Sequence, residues 1–107
     1  MKRIIVNKYK ILSKDNEKLK GLMFLDSVKE RMVFNFDSDV DYSFHSFFCP
    51  KFDIIFLDKN WIVKKYFEIK SWKVIKPGIK YRYVIEAESG FIRKNKIKIG
   101  DKIILDN

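Results

Sequence analysis

The sequence predicts a mainly β protein: an antiparallel sandwich, jelly-roll-like or a partly closed barrel, carrying one or two short helices. Three observations lead there. Apolar and polar residues alternate with a period of two over most of the chain, as half-buried strands require. Turn-forming clusters recur between these segments, at Asp37-Ser38-Asp39, Cys49-Pro50, Asp58-Lys59-Asn60, Lys76-Pro77-Gly78 and Gly100-Asp101. Only one segment has helical spacing long enough to matter, and it is too short to form a core by itself. With 107 residues, 47% apolar and 16% aromatic, the chain reads as one domain over residues 1–107 with a single core.

Arg3 to Val6 and Tyr9 to Leu12 read as a first strand or strand pair. From Ser13 to Phe24, cap-type residues (Ser13, Asp15, Asn16) precede Leu19, Leu22 and Met23 at helical spacing, which predicts a short helix. Arg31 to Phe36, Tyr42 to Cys49, Phe52 to Leu57, Trp61 to Lys70, Tyr81 to Glu88, Lys96 to Ile99 and Lys102 to Leu105 each read as strands. Gly100-Asp101 fits a two-residue hairpin turn whose first position needs positive φ. Ser89 to Asn95 has room for one more helical turn.

Composition limits the chemistry. One cysteine, Cys49, makes no internal disulfide, and one histidine, His45, is too few for the usual His-rich metal and triad arrangements. Glycine-rich phosphate loop, nucleophile elbow and HExxH are all missing from the sequence, so neither a cofactor nor a metal is expected and binding is expected ahead of catalysis. Asp37, Asp39 and Asp41 resemble the start of a calcium loop, but Tyr42 and Phe48 stand where its glycine and bidentate glutamate belong. The segment Met1 to Lys8 breaks before a signal-peptide core forms, which with no membrane-length apolar run predicts a cytoplasmic protein with no membrane contact.

Charge is the strongest compositional signal. The net charge is +9, and residues 59–102 carry thirteen Lys or Arg against four Asp or Glu. Such a half attracts polyanions. Lys64, Lys65, Tyr66, Trp72, Arg93 and Lys94 would together form a basic surface with stacking aromatics, the requirement of a single-strand binder. The plainer reading, aromatics in the core and lysines in water, is favoured because each aromatic also fits a core alternation.

Asp53 is the most informative residue. It stands in Phe52-Asp53-Ile54-Ile55-Phe56-Leu57, apolar on both faces and therefore expected to be buried on both. A buried carboxyl either anchors a ligand or accepts backbone N–H bonds, and the structural role is the favoured one. Glu86 shares a strand face with Arg82, and if Asp53, Glu86 and Arg82 converge they line a polar pocket. His45 is a further ligand-facing candidate on its strand. His45 and Cys49 are about 13 Å apart in an extended strand, too far to act as a nucleophilic pair. The expected partner is a small anionic or polar ligand, with nucleic acid as the alternative and a hydrolase using Asp53 as base ranked last.

Several of these segments, taken together, resemble a known family. Lys20-Gly21-Leu22-Met23-Phe24, Met32 to Phe36, Phe52 to Asp58, and Tyr81 to Glu86 followed by Gly90 and Gly100-Asp101 are similar, in order and spacing, to the domain of unknown function 192 family over about residues 19–105. The segment Phe44 to Lys51 departs from the family pattern, with Pro50 one position early. The resemblance implies a compact, mainly β fold of sandwich or jelly-roll type and no particular activity.

Overall fold

The structure is a computed structural model that describes residues 1–12, 31–45, 51–70 and 74–106. Among the described residues, nine strands and one short helix follow in the order β1 (Arg3–Val6), β2 (Tyr9–Leu12), β3 (Arg31–Val40), β4 (Phe44–His45), β5 (Phe52–Leu57), β6 (Val63–Ile69), β7 (Val74–Ile75), β8 (Tyr81–Glu88), α1 (Phe91–Lys94) and β9 (Lys102–Leu105). The fold is mainly β, as the alternation predicts, and among the described residues no closed barrel forms. The expected helix from Ser13 to Phe24 lies outside the described residues.

The central sheet has the order β2-β3-β8-β5-β6. Its β3-β8-β5-β6 part is antiparallel, with Val33 opposite Ile85, Ile55 opposite Ile85 on the other side, and Ile54 opposite Phe67. Both faces of this sheet are covered. On one face Val33, Ile55, Leu57, Val63, Ile85 and Ala87 pack with Ile4 and Val6 of β1, Ile103 of β9, and Phe91 and Ile92 of α1. On the other, Phe34, Phe52, Ile54, Phe56, Ile69 and Val84 pack with Leu12, Ile75 and Tyr81. Phe56 and Tyr81 meet edge to face at 4.8 Å, and Tyr81 closes the layer by donating its hydroxyl to the Tyr42 carbonyl at 2.6 Å.

Four expectations need correction. The sheets are not wholly antiparallel, because β2 pairs with β3, and β1 with β9, in parallel. Alternation reports only which face a side chain takes; strand direction is set by the connection, and the long stretch between β2 and β3 permits a parallel crossover. Residues 96–99 form turns rather than a strand: Ile97 N–H donates to the Ile92 carbonyl at 3.0 Å and Asp101 N–H to the Lys98 carbonyl at 3.1 Å. Gly100 does have positive φ, at 96°, but it leads into β9 through a bond to the Val63 carbonyl and makes no hairpin. The Asp37-Ser38-Asp39 cluster sits within β3 as an irregularity between Asn35 and Val40. The extra helical turn expected between Ser89 and Asn95 is α1.

Arg31 fastens the end of the sheet where these layers meet. Its guanidinium takes both oxygens of Glu88, with Nε to Oε1 at 3.0 Å and Nη2 to Oε2 at 2.9 Å. Nη1 donates to the carbonyl and side-chain oxygen of Asn7 at 2.8 and 2.9 Å, and the plane lies 4.7 Å over the Phe91 ring. The Arg31 hydrogen bonds hold the Glu88 carboxyl below its ordinary value of 4.5. We expect Arg31→Ala to lower stability by about 1 to 2 kcal/mol at neutral pH, discounted because the Glu88 side chain is half-exposed. A depressed carboxylate contributes above its unfolded value and loses that contribution as pH falls through the folded one. The gap between Arg31→Ala and the parent in urea midpoint should therefore close below about pH 4; a gap that persists there would show packing on Phe91, rather than the ion pair, to be the main term.

Candidate functional site

Asp53 is completely buried at the start of β5, flanked in register by Glu68 of β6 and Ala87 of β8. Its side chain takes the face that holds Ile55 and Leu57, beneath α1. There Oδ2 accepts the Ile92 N–H at 2.9 Å. The helix begins at Gly90, which has φ 95° and no side chain with which to cap it, so a carboxylate from a neighbouring strand supplies the acceptor that an N-cap residue would provide. Oδ1 is the buried side-chain oxygen that lacks a hydrogen-bond partner among the described residues. Burial pushes the Asp53 carboxyl above its ordinary range, the Ile92 amide opposes this, and the charge of Glu68 adds to the rise.

Glu86 lies on the opposite face. It is 6% exposed and stands in register between Met32 of β3 and Ile54 of β5, in the layer that holds Phe34 and Phe52. Among the described residues no hydrogen bond or ion pair reaches its carboxyl, and burial pushes it up to about 8. The polar pocket expected from convergence of Asp53 and Glu86 is therefore not formed by those two residues. In antiparallel register Asp53 faces Ala87, and the next residue along a strand points the other way. Arg82 joins neither; its Nε pairs with Asp39 Oδ1 at 3.1 Å. His45 enters β4, where its backbone is paired with Val74, and its side chain lies outside the description.

The residues considered for nucleic acid are also divided. Lys65 donates its Nζ to the Pro77 carbonyl at 2.8 Å and lies 5.6 Å from the Phe67 ring centre. Tyr66 is half-buried against the core beneath β1 and β9, whereas Lys64 is exposed. Arg93, although 81% exposed, is paired with Glu68 at 2.8 Å beside exposed Lys94. Trp72 and Cys49 lie outside the described residues. Among the described residues no three His, Cys, Asp or Glu side chains gather as metal ligands, and no helix is long and apolar enough to cross a membrane.

Sequence reasoning missed Asp101. It is 6% exposed, and its two oxygens accept the Lys2 and Lys98 backbone N–H groups at 3.1 and 2.9 Å, which with Lys2 nearby hold its carboxyl below the ordinary range. Lys2 Nζ in turn donates to the carbonyls of Asn95, at 3.1 Å, and Lys96. The acid and base together tie the chain start to the turns after α1. The signal was present in Gly100-Asp101, since aspartate readily accepts local backbone bonds, but the participation of Lys2 depends on a contact across nearly the whole chain.

A two-faced β sheet holding one capping carboxylate and one buried carboxyl without a partner among the described residues defines a β-sandwich domain. The profile of the DUF192 family (Uncharacterized ACR, COG1430) matches residues 3–105, and the chain belongs to that family. A UPF0127 protein of Pyrococcus horikoshii is 33% identical over 94% of this chain and 96% of its own length. A UPF0127 protein of Thermococcus gammatolerans is 30% identical over 84% of this chain, which spans 61% of that relative. Among solved structures, a protein of unknown function from Novosphingobium aromaticivorans superposes with a TM-score of 0.78 at 23% identity, covering 88% of this chain and 71% of its own, a likeness of fold.

Two substitutions separate the roles of the carboxyls. Asp53→Ala leaves the Ile92 N–H without its acceptor and should cost about 1 to 3 kcal/mol in chemical denaturation, with amide exchange at Ile92 accelerated; unchanged exchange there would sink the capping role. Glu86 titrates higher in the folded chain than in the unfolded one, so its contribution is full below the unfolded value of 4.5 and is lost as pH rises towards about 8. Glu86→Gln should remove this loss and become more stable than the parent above pH 8, by on the order of a few kcal/mol at most. Parallel pH–stability curves for the two proteins would refute the assignment.

Proposed function

We propose that this protein is a small-ligand-binding β module whose ligand-facing polar group is Glu86, with Asp53 maintaining the frame behind it. The supporting observation is Glu86 itself: a carboxyl 6% exposed, without a partner among the described residues and raised to about 8, set in an apolar and aromatic layer. An unsatisfied polar group in such a layer costs stability unless something hydrogen-bonds to it. A neutral carboxyl among apolar walls offers one donor and one acceptor, and a bound ammonium would convert it to a carboxylate in a buried pair. The ligand class that satisfies both features has an apolar body and an amine or hydroxyl head.

Less supports the nucleic-acid reading. The basic side chains it needs are divided between Lys65, held at Pro77, and Arg93, held at Glu68, while Tyr66 packs inward. A hydrolase using Asp53 as base is supported least, because one oxygen is committed to Ile92 and the residue is completely buried.

The test is a carbon-13 titration of the glutamate side-chain carboxyls, followed with and without benzylamine, cyclohexylamine and benzyl alcohol. At least one amine is expected to lower the Glu86 midpoint by stabilising its charged form, benzyl alcohol should not, and Glu86→Gln should abolish binding while remaining folded. Failure of all three compounds to move the Glu86 resonance would overturn the reading.

A further inference from the structure

The loop leaving β3, at Asp41 and Ser43, and the loop leading into β8, from Lys76 to Lys80, face each other across a cleft of about 350 Å³. This is near the lower size limit of small-molecule sites. Both rims are pinned from behind. Lys65 Nζ holds the Pro77 carbonyl at 2.8 Å, and the Tyr81 hydroxyl holds the Tyr42 carbonyl at 2.6 Å. Gly78, with φ 72° and no atom within 4 Å of where a Cβ would stand, leaves the wall between the lysines open.

Unpaired charge of both signs lines this cleft. Arg31, Arg82 and Arg93 are each paired with a carboxylate, whereas among the described residues Asp41, Lys76 and Lys80 make no ion pair. All three are exposed, as is Ser43. Two ammonium groups favour an anion. The carboxylate opposite them, an acceptor without donors, favours a hydroxyl and repels a second negative group. The serine hydroxyl serves either.

We propose that the cleft binds a small organic phosphate, its phosphate between Lys76 and Lys80 and a hydroxyl of its body on Asp41. A polyanion fits poorly, because the cleft supplies two positive side chains and one negative one, and a strand of phosphates would bring further charge against Asp41. This site lies at the Tyr81 end of β8, away from Glu86, and goes beyond the reading proposed above.

The experiment follows amide resonances of the full chain during titration with glucose 6-phosphate, inorganic phosphate and sodium chloride at matched ionic strength. Glucose 6-phosphate should shift residues 41–43 and 76–80 saturably, and more tightly than inorganic phosphate. The double variant Lys76→Ala, Lys80→Ala should weaken binding at least about tenfold, the loss expected for a charged hydrogen bond, with an unchanged circular dichroism spectrum. Asp41→Asn should narrow the preference for glucose 6-phosphate over inorganic phosphate. Shifts no larger than those with chloride, shifts spread over lysines elsewhere, or full binding by the double variant would overturn the proposal. Equal affinity for inorganic phosphate would overturn the hydroxylated body, and tighter binding of a single-stranded oligonucleotide through the same amides would replace the small ligand with a polyanion.

Discussion

All six residues of β5 are buried because side chains from other strands cover both faces of the central sheet, and this double cover governs what every polar group in it must do. A strand in that position has no solvent side on which to place a charge. Its carboxyls must either accept fixed N–H groups or give up their charge. Asp53 takes the first course at one oxygen, through Ile92, and Glu86 the second. The same double cover accounts for the position of the chain termini. One face needs a second layer, and β1 and β9, brought together in parallel from opposite ends of the chain, supply Ile4, Val6 and Ile103 to it.

The corner where β5, β8 and α1 meet shows how strongly local geometry depends on this arrangement. A helix of four residues has too few internal bonds to persist alone. It is retained because Phe91 and Ile92 enter the core, Asp53 accepts an amide at its start, and Lys2 caps carbonyls just past its end. Arg31 then lies across Phe91 and clamps Glu88, so that β3, β8 and the β1–β2 turn share one guanidinium. Each of these contacts is modest, and they share partners, so their energies are coupled and not additive.

Much of this was legible in the sequence, and the missing part has a common cause. The unbroken apolar run around Asp53 announced a strand buried on both faces and a carboxyl that must be explained. Alternation placed Tyr81–Glu88 and Lys102–Leu105 correctly, and Gly100 revealed its positive φ. What escaped was relational. Whether Asp53 and Glu86 share a face depends on the register between β5 and β8, which no local pattern contains. Lys96-Ile97-Lys98-Ile99 mimics strand alternation in sequence, yet Ile97 is buried and Ile99 exposed, because the segment is a turn held by Asp101 and not a strand. The Arg31 clamp and the Lys2 cap join residues far apart in sequence, through side chains whose composition alone marks them as ordinary surface charge.

The excess of lysine is explained by the same relations. Three of the four arginines, with their rigid fork, hold two elements in one geometry: Arg31 on Glu88, Arg82 on Asp39 and Arg93 on Glu68. Lysine, a flexible point charge, serves either as a long-reach cap, as Lys2 and Lys65 do on backbone carbonyls, or as solvated surface. A net charge of +9 is therefore not one electrostatic feature. Part of it is consumed inside the fold, part keeps the surface in water, and only where unpaired lysines line a concavity does it acquire the geometry from which recognition can be built.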